Sequence, residues 1–202
     1  MSQVKRMMNN SPFSEVIQSS LQNFTAQCWQ WNTMPDFGAL VTIEQDNRVL
    51  FGIVFDVQTG SMDPARVVQA YQKTEQELRL QQPQIFAFLR TTFSCIIVGY
   101  RTQESIIYQL APQPAMIHAF VRYASLSEQQ QFFGSADYLY RLCNASYITD
   151  LDELLLILLK QHYAQGIPQE DMQKLFEVLS ACWQHDYHRL KIFTRRVTHV
   201  LR

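Results

Sequence analysis

A chain of 202 residues makes one large domain or two small ones, with room for a true core. Its 17 Lys and Arg against 18 Asp and Glu leave a formal net charge of -1, which excludes a global electrostatic footprint for nucleic acid or an anionic membrane. Only 17% of residues are charged and 47% are hydrophobic, a balance suited to a surface that contacts other proteins.

The N-terminal run MSQVKRMMNN has no apolar stretch and does not read as a secretory signal. EVIQSS (15–20) and NFTAQCW (23–29) then read as two strands joined by a tight connection. ALVTIEQDNRVLFGIVFDV reads as a hairpin turning at Asp46-Asn47, residues that tolerate the backbone angles of a tight turn. TGSMDPAR follows. Gly60 there is expected to supply a left-handed conformation, and Asp63-Pro64 to start a tight turn. KTEQELRLQQPQIFAFLR predicts two short helices that meet at Pro83 and lie over one mouth of a barrel. TTFSCIIVGYR and SIIYQLA make a second hairpin turning at 102–104, and IHAFVRYA is a candidate last strand. About seven short strands at this spacing predict a small closed antiparallel β-barrel, because closure removes exposed edges.

Near residue 125 the apolar period becomes helical. Ser125 or Ser127 caps a helix through EQQQFF, and DYLYRLC forms another. TDLDELLLILLKQHYAQG starts at Thr149 or Asp150 and ends at Gly166. Its Leu151, Leu154, Leu155 and Leu158 share one face while Leu156 and Ile157 point away, so this helix belongs at the centre of a bundle or at an interface. PQEDMQKLFEVLSACW follows, with Pro168 in its first turn. The last helix, DYHRLKIFTRRVTHVLR, carries an apolar stripe of Tyr187, Leu190, Phe193, Val197, Val200 and Leu201. Five basic residues against Asp186 give it a local charge of +4. The fold class is therefore α+β: a barrel domain (1–124) with a helical insertion, and a C-terminal helical bundle (125–202) packed on it.

The path EVIQSSLQNFTAQC, FGALVTI, VLFGIVFDVQTGSMDPAR resembles the HAS barrel, the N-terminal β-barrel of rotary ATPase catalytic subunits and HerA-type DNA translocases. It looks closer to stand-alone bacterial HAS-barrel proteins of unknown function, which carry a similar strand and TGSIDP-type loop, then a KTEEEL…QPQIF-type helix and an IVGY strand. The matching stretches here are 50–56, 59–66, 73–86 and 97–100, within a likeness that covers roughly residues 13–123. The resemblance implies an interaction role. In ATPases such barrels hold no nucleotide and pack side by side into a collar above the ATP-binding domains. It further implies a ring ATPase as one class of partner, although no GxxxxGK[ST] occurs in this chain.

No catalytic, cofactor or metal site is read from the sequence. Asp63 and Pro64 spoil TGSMDPAR as a phosphate loop, since one adds negative charge and the other lacks an N–H donor. Cys28, Cys95, Cys143 and Cys182 form no CxxC pair and sit among apolar neighbours, as buried reduced thiols do. His185 and His188 flank a helix start without a third ligand, and GxSxG is absent. His118 belongs at the barrel rim. The candidate partner-binding residues are Asp63 and Arg66 in the loop and Arg189, Arg195 and Arg196 on the last helix. The expected function is a non-catalytic assembly module, cytoplasmic, with a protein partner or a homo-oligomeric contact, no membrane span and no sequence-specific nucleic-acid reading. The alternatives are an accessory role on a ring ATPase, or small-molecule binding in the barrel mouth by Asp63, Arg66 and His118.

Overall fold

The structure is a computed structural model that describes residues 11–63, 69–103, 105–164 and 169–200. Seven strands form one antiparallel sheet: β1 (Ser14–Ser19), β2 (Asn23–Cys28), β3 (Leu40–Gln45), β4 (Arg48–Ser61), β5 (Leu89–Thr102), β6 (Ser105–Ile107) and β7 (Phe120–Tyr123). Their order is β2-β1-β7-β3-β4-β5-β6, and β2 also pairs with β5. That extra pairing, with Phe24 opposite Cys95, closes six strands into a barrel and leaves β6 as a short flap on the end of β5. Gly52 leaves room for the Phe24 ring inside the barrel, since a β-carbon there would sit 2.8 Å from it.

Alternation along the strands sorts two cores. Val16, Phe24, Val41, Leu50, Val54, Cys95 and Ile97 point into the barrel. One end is filled by stacked rings, with Phe13 4.6 Å from Tyr123 and 5.7 Å from Phe93. The end with the β3–β4 turn is closed by the segment after β6, whose Ala111 and Ala115 are buried with the interior. Gln45 pins that segment: its amide donates to Pro114 O (3.1 Å) and accepts from the Met116 N–H (2.8 Å). The barrel interior is thus lined with buried apolar side chains, with ring stacking at one end and this segment at the other.

The outward residues Leu40, Phe51, Ile53, Ile96 and Val98 form a second core with the helices. The helices of this core are α3 (Leu126–Phe133), α4 (Tyr138–Cys143), α5 (Leu151–Ala164), α6 (Gln169–Cys182) and α7 (Tyr187–Val200), whereas α1 (Glu75–Gln81) and α2 (Gln84–Ala87) in the β4–β5 connection contribute no buried residue. The α5 helix is central, as its double apolar face predicts: Leu151, Leu154, Leu155, Leu156, Leu158 and Leu159 are all buried. The helices that follow residue 125 therefore share a core with the barrel wall.

Three expectations need correction. Gly60 is not in a left-handed turn; it lies within β4, paired with Arg90 of β5. The reason is that the β4–β5 ladder runs on past Thr92, where β2 ends its pairing, into an exposed ribbon that hydrophobic alternation does not mark. The SIIYQLA strand stops at Ile107, because the chain leaves the sheet to close the barrel end. Tyr187, read as part of the apolar stripe of α7, is 75% exposed, since the stripe is centred on Phe193 and Val197 and Tyr187 lies at its edge. The insertion does form two helices meeting at Pro83, and they pack on Trp31 of the β2–β3 connection, with Trp31 stacked 5.6 Å from Phe86.

Candidate functional site

Helices cover the barrel over β3, β4 and β5, while on the outer face Glu15 and Ile17 of β1 and Phe120 of β7 reach solvent. Register places Glu15 of β1 between Phe120 of β7 and Gln27 of β2 on that face. Just beyond β2, Trp29 donates its backbone N–H to Phe13 O, which brings its indole beside Phe120. The two rings meet edge to face at 5.3 Å, yet Trp29 is 53% exposed and Phe120 56%. Ile17, Met116 and Ile117 add exposed apolar area nearby, because the His118 N–H bonds Val16 O and holds this stretch against β1. A polar pair sits among them, His118 Nδ1 and Glu15 Oε1 at 2.5 Å. Large aromatics clustered in water cost hydration free energy.

The loop and helix candidates fall elsewhere. Arg66 and Pro64 lie outside the described residues. Asp63 is exposed at the end of the β4 ribbon, its backbone N–H donating to Ser61 Oγ at 3.2 Å. On α7, Arg189 lies over the Trp183 ring at 4.5 Å and grips Asp152 of α5 through Nε (3.0 Å) and Nη2 (2.6 Å). Arg196 pairs with Glu153 of α5 at 2.5 Å. Those two arginines hold α7 on α5, whereas Arg195 is exposed beside Lys191, Thr194 and Thr198. The structure thus brings Arg189 and Arg196 to one seam between α5 and α7.

The strongest electrostatic feature is an ionic clamp where β7 enters α3. Glu128, almost fully buried, accepts from Arg122 Nη1 (2.7 Å) and Nη2 (2.9 Å) and from the Ser125 backbone N–H (2.9 Å). Arg101 adds a longer contact at 3.3 Å, and Arg122 also reaches Glu44 at 2.8 Å. Burial pushes the Glu128 carboxyl up, but the Arg122 and Ser125 hydrogen bonds and the Arg122 charge together outweigh it and hold it at about 2. The hydrogen bonds to Glu128 raise Arg122 against its own burial. This clamp fastens a strand to a helix rather than facing a cleft.

An open groove of about 450 Å³ runs between Phe133–Asp137 and α6, with Tyr140, Lys174 and Glu177 on its walls. Ser135 Oγ there donates to Asp137 Oδ2 (2.9 Å), an ordinary helix-start bond rather than an activated nucleophile. Among the described residues, no group of three or more His, Cys, Asp or Glu could hold a metal ion, and no helix is long and apolar enough to cross a membrane. The chain matches no family model and no curated protein.

Sequence reading missed Trp29 and Phe120 as a pair, because they become neighbours only through the β2–β1–β7 order. One signal was present: with Val121 pointing inward, alternation sends Phe120 outward, where a large apolar side chain has no core to join.

Proposed function

We propose that the chain is a non-catalytic protein-interaction module of HAS-barrel type that docks through the β1–β7 face. The observation that carries this reading is the exposed Trp29–Phe120 pair on the outside of a barrel lined with buried apolar side chains. The resemblance over residues 13–123 supports the barrel type, as does a six-strand antiparallel closure followed by helices. On that resemblance, a ring ATPase is the first partner class to try.

The test is site-specific photo-crosslinking in the native host. A benzophenone side chain replaces Phe120 in one variant and Leu80, an exposed apolar residue of α1, in another. Position 120 is expected to give a discrete protein adduct that position 80 does not. Absence of an adduct at 120, or turnover of a metabolite by the purified chain in a broad activity screen, would overturn the proposal.

A further inference from the structure

Two strands outrun the barrel. The β3–β4 ladder stops at Leu40 opposite Ile53, and the β2–β5 ladder stops at Gln27 opposite Thr92. A two-stranded ribbon continues, 56–61 of β4 against 89–94 of β5. At its tip the Met62 N–H donates to Phe88 O at 2.8 Å. Antiparallel ladders alternate, so the hydrogen-bonded pairs are Gly60–Arg90, Gln58–Thr92 and Asp56–Ser94. The pairs between them bring side chains closer, as the Thr59 and Thr91 hydroxyls show at 2.7 Å. By the same alternation, the backbone N–H and C=O of Val57, Thr59 and Ser61 point away from β5, along the outer edge of β4.

Among the described residues, no strand pairs with that edge beyond Val54, whose N–H bonds Ala39 O and whose carbonyl accepts from the Gly38 N–H. From Val57 to Ser61 the edge carries no charge and no proline, the usual guards against pairing, and the nearest bulge comes earlier, between Val54 and Asp56. An unguarded edge of this kind is a template for another strand.

We propose that the β4 edge at 57–61 pairs with the same edge of a second copy of this chain, antiparallel about a two-fold axis at Thr59. In that register Val57 meets the second copy's Ser61, Thr59 meets the second copy's Thr59, and Ser61 meets the second copy's Val57. Each such pair exchanges two N–H···O bonds. A shift by two residues either way leaves one outward residue on each copy unpaired, so this register alone uses the whole edge. Charge agrees with it: Asp56 stands opposite the second copy's Met62, and no two carboxylates face one another. The two ribbons become one four-stranded sheet, with β4 beside β4 at its centre. A self-complementary edge of this kind closes on a two-fold and stops at two copies. The contact is short, so the dimer should dissociate on dilution. It uses β4, not the β1–β7 face, and stands independently of any partner that face takes.

Sedimentation of the full chain over a dilution series is the test. A reversible monomer–dimer equilibrium is expected. The Ser61 N–H points outward, so Ser61→Pro removes an edge donor without removing a bond to β5, and it should weaken the dimer tenfold or more while the monomer's circular dichroism is unchanged. Phe120→Asp, on the β1–β7 face, should leave the dimer intact. The register is read separately by mixing Gln58→Cys and Gly60→Cys copies, whose side chains would stand opposite one another across the axis. Mild oxidation should then give a peptide joining positions 58 and 60, far more than either variant gives alone, and this holds even if the proline variant folds poorly. The inference is overturned by a wild type that stays monomeric at every concentration. It is equally overturned by a dimer that Phe120→Asp abolishes, by one that a folded Ser61→Pro leaves unweakened, or by the absence of the 58–60 peptide.

Discussion

Replacing Glu128 with Gln keeps the shape of the clamp and removes its charge. The amide oxygen can still accept from the Ser125 N–H or from Arg122, but Arg122 is left largely buried, with Glu44 as its remaining described carboxylate. A carboxyl held at about 2 instead of 4.5 is worth about 3 kcal/mol at neutral pH, at roughly 1.4 kcal/mol per unit. Breaking a buried ion pair costs a similar amount, about 3–5 kcal/mol. Because the folded value is depressed, this stabilisation is complete above about 4.5 and is lost as pH falls towards about 2. Denaturant unfolding of both proteins from pH 7 to pH 2 is the assay. Glu128→Gln should be about 3 kcal/mol less stable at pH 7, melting roughly 6–12 °C lower, with the gap closing between pH 4.5 and 2. A gap that stays constant over that range, or a variant that melts like wild type, would refute the reasoning.

Four further substitutions contrast close-packed or paired positions with open ones. Gly38, at φ 79°, presents its α-carbon to α5, and a β-carbon there would lie 2.8 Å from Ile157 Cγ2. Gly38→Ala should therefore cost about 2–4 kcal/mol by denaturant midpoint, from left-handed strain and overpacking together. Gly60→Ala should change stability by less than about 1 kcal/mol in the same assay, since nothing lies within 4 Å of its β-carbon position and its strand geometry suits alanine. Arg189→Ala should lower stability by about 1 kcal/mol, because the Asp152 pair and the Trp183 stack are both part-exposed, while Arg195→Ala should stay within about 0.5 kcal/mol of wild type by thermal unfolding.

What the sequence made legible was whatever repeats locally. Alternation in 40–45 and 93–98 marks strands buried on one or both faces, and the double apolar face of 151–159 marks a central helix. The Ser125 cap was legible too, since a hydroxyl three residues before Glu128 is a local pattern. Arg122 was not, because its link to Glu128 depends on β7 ending where α3 begins and on Glu44 arriving from β3. The barrel plug was hidden for another reason: Ala111 and Ala115 are too small to announce a core, and the side chain that anchors them, Gln45, belongs to a distant strand.

The titratable groups that the fold perturbs show how its interior is held together. Here burial and pairing drive the shifted groups away from neutrality: Glu128 goes down to about 2, while burial lifts the Cys28 thiol to about 12 and, with the Asp137 charge, the Tyr108 phenol to about 12. Each has a structural partner or surround that accounts for its shift. Tyr108 donates its hydroxyl to Phe132 O at 2.6 Å, across the seam between the β6 flap and α3. Cys28 packs inside the barrel, and Glu128 locks β7 to α3. Glu128 and Tyr108 thus fasten the barrel to α3, whereas Trp29 and Phe120 leave two aromatic rings more than half exposed on the outer face.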